Sequence, residues 1–345
     1  MKFYKQRLIE MFRCYAAGKI TVDGRESPLF ATEGKGECCY FTGKNYDEKH
    51  TIWDEPGGTM SVIEIPGKPG ELLAIQNFFP TFQSENAQIV WCRRKESGEW
   101  DTRMVLKLPY IHRFDILRCG GVNYFLGSTL CTSKKDKNDW SDPGKLYVGK
   151  LPDSPDEPIR VSAIKEGLNK NHGYSRVNWY GQTAGCITCE GGVYLVFPPQ
   201  DGRSDWKIQQ LIDVPTSDVA VSDIDGDGNL ELATISPFHG NTLAIYKKLD
   251  GAYKIIYQYP VVEDFYHVIK ACTLRGVPTF IGGCRRGAKE LFYIQWNQNT
   301  LSFDSGLIDQ GVGPSNVEVI NLTDKDIIIS ANREIGEGAL YTVEA

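Results

Sequence analysis

Five histidines occur in the 345-residue chain. Four of them stand where short loops meet apolar strand-like segments. His112 opens HRFDILRC, His267 opens HVIKACTL, His172 lies in NHGY and His239 lies in PFHG. A neutral imidazole is a common ligand of zinc, manganese or iron, and it also works as a general base near neutral pH. Several imidazoles brought together would therefore suit a divalent metal, a proton transfer, or both. The second chemical feature is Asp223-x-Asp225-Gly226-Asp227-Gly228-Asn229-x-Glu231. Oxygen side chains at alternate residues, with glycines that permit a tight wrap, suit a hard cation such as calcium. The spacing matches the first half of an EF-hand loop. Position 12 of that loop would be Thr234, which cannot be the bidentate acid, and the flanks read as strands. An EF-hand is not expected. A solvated Asp-Gly turn without metal is the alternative.

The elements that must carry these residues repeat along the chain. HRFDILRCGGVNYFLG from His112 and HVIKACTLRGVPTFIG from His267 align in the histidine, the Gly-Val turns and the final glycines Gly127 and Gly282. More diverged copies begin at Thr59, Thr183, Asp218 and Ser315, and a weaker one at Ser27. Each is an apolar hairpin about a Gly, Asp or Asn turn, followed by a third and often a fourth strand. About seven units at this spacing predict an all-β fold: a seven-bladed β-propeller of four-stranded antiparallel blades. The whole chain, residues 1–345, is expected to form one propeller domain. Phe3, Leu8, Met11, Phe12 and Tyr15 suggest an amphipathic helix within residues 1–18, packed outside the ring. Lys19–Asp23 would then be the strand that closes the last blade.

In such a blade the strands run A to D from the centre outward. The D-to-A and B-to-C loops share one face of the disc, and the A-to-B turns lie on the other. The acidic turn is an A-to-B turn, which places it away from the histidines. His112, His172, His239 and His267 fall on the opposite face beside the central channel. His50 is expected in the B-to-C loop of the first blade. Gln76 with Phe78, Phe79 and Phe82, Tyr174 and Arg176, Tyr266, Arg285 and Arg286, and Asn332 and Arg333 are assigned to the same face. Aromatic faces stack on sugar rings, and Arg and Asn hold hydroxyl and carboxylate groups. Any one of these could equally be an ordinary surface or packing residue.

Composition excludes several classes. A net charge of -6 gives no electrostatic footprint for nucleic acid. No apolar run approaches the ~18 residues of a membrane span. Charges at Lys5, Arg7, Glu10 and Arg13 interrupt any leader-peptide core, so a cytoplasmic location is expected. The ten cysteines are not read as a disulfide framework in so long a chain. Cys186 and Cys189 form a CxxC, but residues three apart on a strand face opposite ways. There is no nucleophile elbow, P-loop or dinucleotide fingerprint.

The DxDGDGxxEL turn followed by SPFHG resembles the FG-GAP or VCBS repeat, a β-propeller blade. The histidines on the channel face resemble those in the propeller domain of aldos-2-ulose dehydratase-like sugar lyases. That resemblance implies a metal- and histidine-dependent elimination from a keto-sugar. It carries only His112, His172, His239 and His267 onto this chain, and the cupin domains that accompany such propellers are missing from it. The first expectation is a metal-dependent carbohydrate lyase or dehydratase. It would abstract a proton α to the carbonyl of a keto-sugar or uronate-like substrate. His112, His239 and His267 would hold zinc, manganese or iron, with His172 as base and Tyr174 or Tyr266 as proton donor. Arg285, Arg286, Asn332, Arg333, Gln76 and Arg176 would bind substrate. Asp223, Asp225, Asp227, Asn229 and Glu231 would hold structural calcium. The other expectation is a non-catalytic, calcium-stabilised propeller that binds a carbohydrate or a protein.

Overall fold

The structure, a computed structural model, describes residues 1–80, 83–201 and 205–344. Phe82, assigned above to the histidine face, lies outside the described residues. The strands form seven four-stranded antiparallel sheets arranged as the blades of a propeller. The innermost strands are Cys14–Val22, Val62–Glu64, Ile111–Cys119, Tyr174–Trp179, Asp218–Ser222, Tyr266–Leu274 and Asn316–Asn321. Apolar residues of neighbouring blades meet between the sheets. Trp91 of blade 2, for example, shares a core with Phe114 and Phe125 of blade 3. Gly127 and Gly282, the aligned glycines of the repeat, are needed there. A Cβ on Gly127 would meet the Phe125 ring at 2.7 Å, and one on Gly282 would meet the Phe292 ring at 2.5 Å.

The ring closes differently from the expectation. Residues Lys2–Glu10 are a strand, not a helix, and pair antiparallel with Glu337–Glu344 as the outermost strand of blade 7. Lys19–Asp23 does not close that blade. Lys19 through Val22 belong to the innermost strand of blade 1 instead. Joining the first strand of the chain to the last blade leaves no open seam, which protects sheet edges from stray pairing. Two hairpins are also displaced by one strand. In blade 1 the residues from Ser27 to Thr42 are its second and third strands, and in blade 4 so are Gln182–Cys189 and Gly192–Phe197. His50 accordingly lies in the outer strand Glu48–Trp53, exposed and stacked on Tyr40. It therefore does not lie in the loop between the second and third strands, where it was expected.

The only helical segment among the described residues is the 3-10 turn Arg333–Ile335, and no helix is long and apolar enough to cross a membrane. All ten cysteines are free thiols. Cys186 and Cys189 are both buried and belong to different core clusters, as opposite faces of one strand require.

Candidate metal centre at the channel mouth

Three innermost strands begin with the same irregularity. The pairing of first and second strands skips Tyr15 in blade 1, His112 in blade 3 and His267 in blade 6. A β-bulge of this kind leaves one residue outside the ladder and re-aims its side chain. His172 reaches the same place from the loop before Tyr174–Trp179. Gly173 makes that possible, because a Cβ there would come within 2.5 Å of the Asp218 Cα. His239 arrives from the loop between the second and third strands of blade 5. Its backbone is left-handed, with φ of 49°, a region that non-glycine residues enter only when their surroundings hold them there. Here the ring is clamped between Phe238 and Phe265, with centroids at 4.0 and 4.2 Å. The backbone N–H of His239 donates to the Ser217 hydroxyl at 3.1 Å.

The imidazoles are oriented from behind. Nδ1 of His112 lies 3.2 Å from the His172 carbonyl oxygen, Nδ1 of His172 lies 3.2 Å from that of Ser217, and Nδ1 of His267 lies 2.8 Å from that of Ser315. A carbonyl can only accept, so each Nδ1 carries the proton and each Nε2 keeps its lone pair. This is the tautomer in which histidine binds metals, with a backbone acceptor fixing the ring. Potential ligand atoms of His172, His239 and His267 lie within 4.8 Å of one another. The Nε2 atoms of His172 and His239 are 3.1 Å apart, and the Tyr15 hydroxyl donates to Nε2 of His267 at 3.2 Å. Burial pushes His112, His172 and His267 well below the ordinary histidine range, and it lowers His239 to about 3. All four are thus neutral at pH 7. His112 packs against His172 in a tilted arrangement with centroids 4.5 Å apart but is not one of the converging three.

Beneath the histidines runs a cavity of about 660 Å³ along the propeller axis, with His267, Arg113 and Asp218 in its wall. Several of its other charges are answered by a partner. Asp115 accepts from Arg176 at two nitrogens, and Lys270 meets Glu318 at 2.9 Å. Asp218 differs. It accepts the Val219 N–H at 2.9 Å and forms no ion pair among the described residues. Burial raises its carboxyl to about 7, against the pull of Arg113.

The remaining sequence-assigned residues divide. Arg285 and Arg286 do reach the mouth and stack on Phe265, at 4.7 and 5.1 Å. Arg285 and Arg333 are tied up with Glu334, and Arg333 also with Glu33. Arg176 lines the channel but is committed to Asp115. So is Tyr174, whose hydroxyl donates to Asp115 at 2.6 Å. Tyr266 faces away from the pocket: its ring lies in the core between blades 5 and 6 and its hydroxyl donates to the Val261 carbonyl at 2.6 Å. Strand alternation explains this, since its neighbour His267 faces inward. Asn332 is buried inside blade 7, donating to Glu337 and to the Tyr341 hydroxyl. Gln76 is buried in blade 2, 3.5 Å from Gln88. Neither opens on the channel. Arg113, Asp218 and Tyr15 were not assigned from the sequence. Arg113 adjoins His112, and that adjacency was the one available signal.

The acidic turn lies on the opposite face, as its position between first and second strands requires. Asp223, Asp225 and Asp227 converge, and Asp223 Oδ1 is buried without a partner. Asn229 instead donates its side-chain amide to Asp227. The Lys247 ammonium lies 2.5 Å from Asp225, 2.7 Å from Asp227 and 3.0 Å from Glu231. It therefore contacts three of the carboxylates that calcium would need. The orphan oxygen of Asp223 fits a cation, while the other three acids already have one.

Together these features define a seven-bladed propeller with a histidine cluster at one mouth of its channel. No protein-family model matches the sequence, and no curated protein does. The FG-GAP/VCBS resemblance thus rests on the motif alone. The chain is similar in structure to Sqt1 of Saccharomyces cerevisiae, with a TM-score of 0.58 and 9% identity over 100% of this chain and 99% of that one. It is also similar to a protein named as a candidate 6-phosphogluconolactonase of Bacteroides uniformis, with a TM-score of 0.55 and 11% identity over 91% and 87%. The soluble aldose sugar dehydrogenase of Escherichia coli gives 0.50 and 11% over 99% of both chains. At these identities the likeness establishes the fold.

Proposed function

We propose that the protein is a metal-dependent carbohydrate lyase or dehydratase that removes a proton α to a carbonyl. One observation carries the reading: three neutral imidazoles converge, the buried His172 and His267 and the half-buried His239, the first two held by backbone carbonyls in a metal-binding tautomer. His172, His239 and His267 would hold zinc, manganese or iron. Such an ion, when bound, polarises a substrate carbonyl and acidifies the neighbouring C–H. His172 then serves as a ligand rather than the base. Asp218 takes the base role, because its carboxyl on the channel wall titrates near 7, where proton acceptance is most efficient. Arg286, exposed at the mouth beside Phe265, offers the entering sugar a cation. Two proteins of similar fold are named for sugar chemistry, which supports a carbohydrate as substrate. The acidic turn serves as a staple on the far face, with Lys247 as resident cation and calcium as its competitor.

The second reading, a non-catalytic platform, is favoured by the acidic turn alone, since that turn needs no pocket chemistry. Elemental analysis of untagged protein separates the two. About one equivalent of transition metal, lost in His172→Ala/His239→Ala, is expected, and Asp218→Asn is expected to keep the metal and lose turnover in a keto-sugar and uronate screen. A protein that never retains zinc, manganese or iron refutes the lyase.

A further inference from the structure

Arg113 is the cation of this channel wall left without an ion pair among the described residues. It follows His112 at the bulge of blade 3 and is only 8% exposed. Its Nη1 donates to the Met60 carbonyl at 2.9 Å and lies 3.5 Å from the Ser61 hydroxyl. Its guanidinium lies over the Tyr15 ring at 5.8 Å. Among the described residues no hydrogen bond engages Nε or Nη2. No carboxylate lies within 4.0 Å among the described residues, although Arg176 and Lys270 in the same wall each have one. Asp218 faces the same cavity without pairing to it. A guanidinium cannot shed its proton, and a buried cation is stable only when paired or well hydrogen-bonded. The unused donors open on a cavity wide enough for a sugar.

We propose that Arg113 is a specificity residue that binds the carboxylate of a small sugar-acid ligand in the channel below the histidines. A guanidinium fork matches a carboxylate in charge and in two-pronged geometry. A phosphate dianion fits less well, because this wall offers no second unpaired cation and no helix N-terminus to share the extra charge. The inference deepens the lyase reading by naming the substrate class, yet its test needs neither turnover nor metal.

Calorimetric titration of the full chain would compare glycolate, D-gluconate and D-glucuronate with D-glucose and sodium phosphate at equal ionic strength. At least one carboxylate should bind about tenfold or more tightly than glucose. Arg113→Gln should weaken that binding by about 10–100-fold, the range for losing a charge-assisted hydrogen bond. Arg113→Lys should lie between, since a point charge lacks the fork. The unliganded Arg113→Gln protein should melt no lower than wild type, because an unpaired buried charge has been removed. Four outcomes overturn the assignment: no carboxylate binds; phosphate binds as well as the best carboxylate; Arg113→Lys binds like wild type; or Arg113→Gln melts lower and still binds. Absence of a pocket metal would sink the lyase and leave this result standing.

Discussion

Replacing Lys247 by methionine removes one ammonium from the acidic turn and keeps most of its packing volume. Lys247 meets Glu231, which is fully buried, at 3.0 Å. It also meets Asp225, nearly buried, and Asp227, half exposed. Truncating one partner of a buried pair costs ~3–5 kcal/mol, because the other charge stays buried and unanswered. Water screens the Asp227 contact, so the lower end applies, about 3 kcal/mol in a calcium chelator. For a chain of this size that lowers the melting temperature on the order of 5 °C. The loss should depend on pH. Burial already raises the Glu231 carboxyl, and without the lysine it rises further. A carboxyl raised in the folded state stabilises at low pH and loses that contribution as pH climbs through its folded value. The variant should therefore differ most from wild type at pH 8 and least near pH 4.

Calcium supplies the second arm of the same experiment. With the ammonium gone, the oxygens of Asp223, Asp225, Asp227 and Glu231 are free to take an ion. Saturation at about a hundred times the dissociation constant would return ~2.7 kcal/mol. In wild type the ion must first displace Lys247, so its melting temperature should barely respond. Thermal melts of both proteins in chelator and in millimolar calcium test this directly. Equal stability in chelator, or equal stabilisation of both proteins by calcium, refutes Lys247 as the resident cation.

Two further outcomes follow from the histidine cluster. Metal-free protein should lose stability as pH falls below about 6.5, where unfolded histidine begins to bind protons. The folded values of His112, His172, His239 and His267 are all lowered by burial. Each site thus contributes its full share above the unfolded value and surrenders about 2 kcal/mol by pH 5. Asp218, raised to about 7, acts with the opposite sign and is outweighed. Urea titrations at pH 7.5 and 5 read the difference, and an unchanged midpoint would contradict the burial of neutral imidazoles. Gly173→Ala should cost at least about 2 kcal/mol and the pocket metal together, because its Cβ would press on the Ser217 carbonyl oxygen and the Asp218 Cα, both 2.5 Å away. Urea unfolding and metal content measured on the same sample would check this, and a variant that keeps both would contradict it.

The hairpins of blades 2, 3, 5, 6 and 7 are legible in the sequence, because their first and second strands are apolar and joined by short glycine- or aspartate-bearing turns. Blades 1 and 4 were read one strand out, for a physical reason. Their innermost strands, CYAAGKITV and YSRVNW, line a polar channel and carry small or charged residues where a buried strand would carry valine and leucine. The N-terminal strand resembles a helix in sequence because it is the outer strand of its blade. Its apolar residues follow no two-residue alternation, and the register slips between Arg7 and Ile9. The same kind of irregularity decided the site. Period-two alternation sends Tyr266 away from the channel once His267 points in, and it would send Arg113 away beside His112 for the same reason. The bulges skip Tyr15, His112 and His267 and return the ladder at Ala16, Arg113 and Val268; Ala16 and Val268 turn into the cores between blades, whereas in blade 3 Arg113 follows His112 onto the channel side. Arg113 was hidden by that doubling, which no residue spacing records, and Tyr266 was credited with a place that only its neighbour holds.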